Sequence, residues 1–297
     1  MELQDYLRDE ILEEAELGYI TLEERDRRLS VFDDALGNAQ GLHSASAVLS
    51  AQNPISEVQV EELEGDIIAW RDRAAGSESD VLVYAAKPKE GKSHPGVIVI
   101  HENKGLVPYV EDVARRFARE GYVAVAPDLL SRRGGTGSFS DPSEATTALG
   151  TIGRDELVED LISAVTFLAS DESVSPQRIG VVGFCFGGGM AWRLITKDAR
   201  IKAAVPFYGP NPPLEDVPDI NASVLGIYGG LDDRINAGID DIEAAMSENN
   251  KVFEKIIYPG AQHAFHNDTN PDRYHPEASI DAWQRALEWL SRWLPES

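Results

Sequence analysis

The stretch Gly180-Val-Val-Gly-Phe-Cys185-Phe-Gly-Gly-Gly189 has the most specific local pattern in this sequence. A short apolar run at 179–182 leads into Gly-x-Cys-x-Gly, and apolar residues at helical spacing follow over 187–198. A strand that turns this sharply into a helix needs small residues two positions before and two after the apex. At a helix N-terminus the dipole favours a thiolate, and the next backbone N–H can bind an oxyanion. The pattern predicts a nucleophile elbow built on Cys185; the alternative is a glycine-rich turn around an inert buried cysteine.

Buried strands and helices alternate on both sides of this turn. Continuous apolar runs are typical of strands buried on both faces of a parallel sheet, and apolar residues three and four apart are typical of helices. The runs lie at 97–100, 122–126, 203–207, 224–228 and 252–258, and the helical patterns at 110–118, 157–168, 237–248 and 283–294. The sequence therefore predicts an α/β fold with a mostly parallel central sheet flanked by helices.

Two further segments belong to this main domain, which we expect to span 56–297. Alternating residues at 58–63, 67–70 and 81–84 predict antiparallel strands that precede the parallel ones. Residues 131–153 are rich in Gly, Ser and Thr and follow a buried strand. Ligands of such sheets bind at the carboxyl ends of the strands, so this segment is expected near the site.

The N-terminal residues 1–55 are predicted to form a helical arm. An acidic helix over 2–17 ends at Gly18, and Thr21-Leu-Glu-Glu24 is a capping box that begins a second helix. The arm is expected to pack on the main domain or on a second copy in a homodimer, with a disordered tail as the alternative. Arg27-Arg28 is followed by acidic residues instead of an apolar stretch, so no signal peptide is predicted and a cytoplasmic location is expected.

Composition excludes several classes of function. The chain has 27 basic and 51 acidic residues, a net charge of −24, which would repel nucleic acid and anionic membranes. This acidity fits either high solubility or a high-salt habitat. No apolar run approaches the length of a transmembrane helix. Cys185 is the only cysteine, which excludes an intrachain disulfide and a multi-cysteine metal site.

A thiol nucleophile needs a base and an acid that orients it. His263 follows the predicted strand at 252–258, and Asp232 ends the one at 224–228. The chain order Cys, Asp, His is the order of an α/β-hydrolase triad. Order alone does not separate Asp232 from its neighbour Asp233. An alternative for this region is a metal site formed by His263, His266, Asp268 and His275.

An acidic residue lies in another loop that is expected beside the nucleophile. His101-Glu102-Asn103-Lys104-Gly105 follows the strand at 97–100, where this fold supplies its second oxyanion N–H. A carboxylate there is costly unless it has a role or a partner. Glu102 is therefore a candidate functional residue, with a solvated loop carboxylate as the alternative.

Over residues 80–295 the chain resembles the dienelactone hydrolase (carboxymethylenebutenolidase) family of α/β-hydrolases. The resemblance rests on five motifs in order: His101 to Gly105, Ala126-Pro-Asp-Leu-Leu-Ser131, Gly183-Phe-Cys-Phe-Gly-Gly188, Tyr228-Gly-Gly-Leu-Asp232 and Tyr258-Pro-Gly-Ala-Gln-His263. It implies a Cys–His–Asp triad on Cys185, His263 and Asp232. It also implies that Glu102 contacts the resting thiol and accepts its proton when substrate binds.

The same resemblance implies the remaining site residues. The backbone N–H groups of Asn103 and Phe186 would form the oxyanion hole. Of two arginines that hold a substrate carboxylate in the prototype subfamily, one corresponds to Arg132, and the other is replaced by Asn267. Half of this carboxylate clamp is thus absent, which predicts weak selectivity for anionic substrates.

These observations predict a cysteine hydrolase that cleaves a lactone or small ester through a thioester intermediate. No metal or organic cofactor is implied. One alternative is a broad-specificity carboxylesterase that also accepts other activated esters, such as organophosphates. A second is a non-enzymatic protein in which Cys185 is a redox-sensing thiol, although the neighbouring Glu102 disfavours a standing thiolate.

Overall fold

A computed structural model describes residues 59–62, 66–76 and 79–296 of the chain. The predicted N-terminal arm at 1–55 lies outside the described residues, and so does its proposed dimer contact.

Nine strands in the described residues form one sheet in the order β1-β2-β3-β5-β4-β6-β7-β8-β9. β1 to β3 pair antiparallel with their neighbours, and every contact from β5 through β4 to β9 is parallel. The mostly parallel sheet and the antiparallel strands before it are therefore confirmed. The strands are Gln59–Glu62, Ile67–Ala74, Val81–Pro88, His94–Ile100, Val123–Pro127, Val174–Phe184, Ile201–Phe207, Ser223–Gly229 and Phe253–Tyr258.

Seven α-helices of the described chain connect or follow these strands. They are α1 Pro108–Arg119, α2 Pro142–Gly150, α3 Arg154–Ser170, α4 Phe186–Lys197, α5 Asp233–Asn236, α6 Ile239–Glu248 and α7 Pro276–Trp293. Two short 3-10 helices, Ser131–Arg133 and Thr136–Ser138, precede α2.

The α2 helix was not predicted. It begins at Asp141, whose side chain accepts the Ser143 N–H, and Pro142 occupies its first turn. Both are helix start signals. Only Ala145 and Leu149 of this helix are buried, so its apolar pattern is too sparse to stand out in the sequence.

The core lies in two layers, one on each face of the sheet. Alternate residues of β4 point to opposite faces, because side chains alternate along a strand. Val97 and Val99 pack with residues of α1 and α7, whereas Ile98 and Ile100 pack with residues of α3, α4 and α6. Burial on both faces explains the continuous apolar runs of the parallel strands.

The sheet topology brings four loops together at the carboxyl ends of the parallel strands. β4, β6, β8 and β9 run parallel, so their carboxyl ends lie on the same side. These ends are followed by Glu102, Cys185, Asp232 and His263 respectively. In the part of the chain that the structure describes, no helix is both long and apolar enough to cross a membrane.

Candidate active site

Cys185 occupies a strained turn between β6 and α4. Its φ is +56° and its ψ is −114°, a backbone conformation that residues other than glycine rarely adopt. The flanking glycines are required by space. A Cβ on Gly183 would lie 2.1 Å from the Gly187 carbonyl oxygen, and one on Gly187 would lie 2.4 Å from that of Ile100. The chain therefore presents the thiol at the tip of the turn.

The thiol, an imidazole and a carboxylate form a continuous hydrogen-bonded row. His263 Nε2 lies 3.0 Å from Cys185 Sγ, and His263 Nδ1 lies 2.5 Å from Asp232 Oδ2. A carboxylate only accepts hydrogen bonds, so Nδ1 carries the imidazole hydrogen and Nε2 is left as the acceptor for the thiol. The buried Asp232 is the aspartate that reaches His263, whereas Asp233 is an exposed first-turn residue of α5.

Electrostatics keep this thiol protonated at rest. Burial, together with the nearby charges of Glu102 and Asp232, raises the pKa of Cys185 to about 11. The Phe186 backbone N–H and the Arg234 side chain oppose this shift, because both stabilise a thiolate. At neutral pH the sulfur is therefore a neutral thiol, which becomes a thiolate only if a base accepts its proton.

Glu102 lies beside the thiol, but its hydrogen bond goes elsewhere. Its Oε2 accepts from Asn267 Nδ2 at 2.7 Å, and its Oε1 is buried with no hydrogen-bond partner among the described residues. Burial raises the pKa of this carboxyl group, while the Asn267 amide and the charges of Lys104 and Arg273 lower it. Among the described residues the sulfur of Cys185 has a hydrogen-bonding contact with His263 Nε2, and the contact between Glu102 and the resting thiol that the resemblance implies stays a prediction.

His101, which the sequence did not single out, holds the loop that carries Glu102. Its Nε2 accepts the Leu129 N–H at 3.0 Å, so its Nδ1–H donates to the Glu102 carbonyl at 2.6 Å. Burial lowers the pKa of His101 and keeps the ring neutral, as this arrangement requires. The ring thereby ties the turn after β4 to the turn after β5. The signal in the sequence that could have identified His101 is a histidine placed between the end of a predicted buried strand and an acidic loop residue.

The two expected oxyanion donors lie in different surroundings. Phe186 is the first residue of α4, where a backbone N–H has no acceptor inside its helix. Its N–H is close enough to the Cys185 sulfur to stabilise a negative charge there. Asn103 is exposed, and its carbonyl accepts from Thr146 Oγ1 of α2 at 3.1 Å. The unpredicted α2 helix thus helps to hold the second loop.

The two expected substrate-binding residues already have protein partners. Arg132 Nε and one terminal nitrogen donate to the two oxygens of the buried Asp160 at 2.9 and 3.0 Å. Asn267 is buried and uses both ends of its carboxamide on Glu102 and Thr269. Their role in binding substrate stays a prediction, and these contacts argue against it, because an anion would have to displace them.

The side chains of the alternative metal site have separate partners. His266 Nδ1 is hydrogen-bonded to the Tyr109 hydroxyl at 2.6 Å, and burial lowers the pKa of His266 to about 3. Asp268 pairs with Arg116, and His275 caps α7 by accepting the Ala278 N–H. His263 is held by Asp232. These four side chains therefore do not converge on one point.

Strand order and the turns after β6, β8 and β9 together define an α/β-hydrolase. Within that class the chain belongs to the dienelactone hydrolase family, whose sequence model matches residues 81–294. Enzymes of this family hydrolyse esters and lactones, and the chain is accordingly a hydrolase of this type.

Individual relatives agree with this assignment. A "Putative carboxymethylenebutenolidase" of Escherichia coli is 32% identical over 261 residues, which are 84% of this chain and 96% of the relative. A protein of the same name from Saccharolobus solfataricus is 34% identical over 248 residues, 71% of this chain and 94% of the relative. The crystal structure of a "Putative Dienelactone Hydrolase" from Klebsiella pneumoniae is 30% identical, with a TM-score of 0.71, and covers 77% of this chain and 100% of that one.

Proposed function

We propose that this hydrolase cleaves a lactone or small carboxylic ester through a covalent thioester on Cys185. The observation that carries the proposal is the row from Cys185 Sγ through His263 to Asp232 Oδ2, with the sulfur at the apex of a strained turn. Nucleophile, base and orienting acid within hydrogen-bond reach are the signature of covalent acyl transfer.

The reaction begins when Sγ attacks the substrate carbonyl carbon. The thiol proton moves to His263 Nε2, which lies 3.0 Å away, and Asp232 stabilises the imidazolium that forms. The carbonyl oxygen gains negative charge, and the N–H groups of Phe186 and Asn103 are the candidate donors to it. When the intermediate collapses, the C–O bond breaks and the imidazolium gives its proton to the leaving oxygen. Water then attacks the thioester, and His263 takes and returns a proton to release the acid and the free thiol.

Glu102 has a distinct place in this scheme. Its charge raises the pKa of Cys185 and so keeps the free enzyme in the thiol form. A protonated sulfur is a poor nucleophile until His263 accepts its proton. We therefore expect Glu102 to keep the Cys185 thiol unreactive until a substrate is bound in the site.

One observation favours a lactone as the substrate, and another favours a simple ester. A Bradyrhizobium relative that is 32% identical over 236 residues is named "Probable 2-oxo-3-(5-oxofuran-2-ylidene)propanoate lactonase". The occupied side chains of Arg132 and Asn267 favour the second candidate, a carboxylesterase without a preference for a substrate carboxylate. Comparing kcat/KM for p-nitrophenyl acetate and for an uncharged lactone distinguishes the two.

The covalent step is tested by trapping the intermediate. Wild-type enzyme mixed with p-nitrophenyl acetate and quenched in acid should carry an acetyl group on the peptide containing Cys185, found by mass spectrometry. Cys185→Ala should carry none and should lose ester hydrolysis while keeping its unfolding temperature. Full ester hydrolysis by purified Cys185→Ala would eliminate the thioester mechanism.

A further inference from the structure

The carboxamide of Asn267 makes three hydrogen bonds inside the protein, which leave one of its four hydrogen-bonding positions unassigned. Its Oδ1 accepts from the Thr269 N–H at 3.0 Å and from Thr269 Oγ1 at 2.6 Å, and its Nδ2 donates to Glu102 Oε2 at 2.7 Å. We propose that Asn267 is a positioning residue, which holds the Glu102 carboxyl group beside the nucleophile, and that it does not bind the substrate. The inference rests on the proposed function, because it assigns a role within the same site.

Thr269 determines which end of the carboxamide faces Glu102. The Thr269 backbone N–H can only donate, so it requires the amide oxygen. A half-turn of the amide would bring the NH2 group against this N–H and the oxygen against a carboxylate oxygen. These contacts would set donor against donor and acceptor against acceptor, and the hydrogen bonds of the observed orientation would be lost. Thr269 therefore directs the donor of Asn267 towards Glu102.

Asn267 also connects two turns that are remote in sequence. It lies four positions after His263, beyond the end of β9, and Glu102 follows β4, 165 residues away. The hydrogen bond to Asn267 is therefore a tie between the turn that carries the base and the turn that carries Glu102.

One oxygen of the held carboxyl group makes no hydrogen bond to the described part of the chain. This oxygen, Oε1, is buried, and the charge of Glu102 helps to raise the pKa of the Cys185 thiol. An amide hydrogen bond favours the ionised carboxylate, so Asn267 sustains this charge as well as its position. The other charged or titratable groups around the carboxyl group are Lys104, Arg273, Tyr109 and Tyr208.

The test measures thiol reactivity directly. Iodoacetamide alkylation of Cys185 follows the thiolate fraction, which rises about tenfold per pH unit below the thiol pKa. Losing the Asn267 amide should let Glu102 turn away and should raise its pKa. Both effects reduce the negative charge at the sulfur and lower the thiol pKa. Asn267→Ala should therefore be alkylated about threefold faster at pH 8, which corresponds to a thiol pKa lower by about half a unit.

Three further variants separate positioning from a general structural effect. Glu102→Gln should accelerate alkylation in the same direction, and Asn267→Ala should add nothing in the Glu102→Gln background. Thr269→Val leaves Asn267 in place and should give a smaller acceleration. Asp268→Asn is the matched control, because it changes the same loop at the exposed ion pair with Arg116 and should leave alkylation unchanged.

Turnover supplies the second readout. A positioning role predicts that Asn267→Ala changes kcat, with little change in KM, by the same factor for a carboxylate-bearing and a neutral ester. A higher KM confined to the carboxylate-bearing ester would overturn the proposal and identify a substrate contact. Unchanged or slower alkylation, or an equal effect with Glu102→Gln present, would also overturn it. Alkylation needs no substrate, so the experiment still decides this point if no ester proves to be hydrolysed.

Discussion

At the scale of single residues, the Cys185 sulfur lies where its own ionisation is disfavoured. Burial and the Glu102 carboxylate raise its pKa to about 11, yet an imidazole acceptor lies 3.0 Å away. The sulfur is thus a neutral thiol in contact with an imidazole that can accept its proton. Such an arrangement protects the thiol from reagents in solution, because the thiolate is the reactive form.

The two neighbouring aspartates should differ sharply in their effect on rate. Asp232→Asn removes the acceptor that fixes the His263 tautomer, so kcat/KM for an aryl ester should fall by about three to four orders of magnitude. His263→Ala should cost at least as much. Asp233→Asn changes an exposed carboxylate next to the same turn and serves as the matched control, with a loss of less than about threefold. The opposite ranking of Asp232 and Asp233 would contradict the orientation seen here.

Residue chemistry was predictable where a residue type is tied to a local pattern. The glycine spacing around Cys185 and the strand ends before Asp232 and His263 are readable along the chain. The contact between Glu102 and Asn267 is not, because it joins loops 165 residues apart. The ion pair of Arg132 with Asp160 depends in the same way on how α3 packs under the loop, which no short motif encodes.

At the scale of elements, the turn from β6 into α4 packs directly against the end of β4. A Cβ on Gly187 would lie 2.4 Å from the Ile100 carbonyl oxygen and 2.5 Å from that of His101. Both obstacles are backbone atoms and cannot rotate away. The elbow and the Glu102 loop are therefore fixed against each other through glycine.

Gly187→Ala should destabilise the fold by about 1–3 kcal/mol, the usual cost of forcing extra volume into a packed region. It should also reduce activity, because the strain displaces the loop that follows Ile100. Gly150→Ala is the matched control: an added Cβ there meets no atom within 4 Å, and alanine favours the end of α2. Urea unfolding of both variants measures the difference. Equal free energies of unfolding for the two variants would show that the turn accommodates a methyl group on residue 187 without cost.

Strands were easier to predict than the segment at 131–153. Parallel strands buried on both faces, such as β5 and β8, leave continuous apolar runs that are hard to mistake. The α2 helix buries two residues only and takes its stability from capping by Asp141 and from contacts with the loop of Asn103. A helix of this kind has little apolar periodicity to detect.

At the scale of the whole molecule, the chain combines an excess of 24 negative charges with a partly buried acid near Cys185. A field of this sign repels an anionic substrate before any local contact forms. Salt shortens the range of this repulsion, since the Debye length falls from about 30 Å at 0.01 M to about 3 Å at 1 M. The effect of ionic strength on kcat/KM should therefore depend on the charge of the substrate.

For a carboxylate-bearing ester, kcat/KM should rise several-fold as sodium chloride increases from about 0.01 to about 0.5 M, because screening removes the long-range repulsion. A neutral ester with the same leaving group is the control and should change little, which separates the field from any effect of salt on the enzyme itself. Circular dichroism at each salt concentration verifies that the fold is constant. If the anionic ester is instead hydrolysed faster at low salt, a local cationic group must outweigh the net charge. Arg132→Ala would then identify that group by abolishing the preference, whereas an unchanged preference would exclude Arg132 as its source.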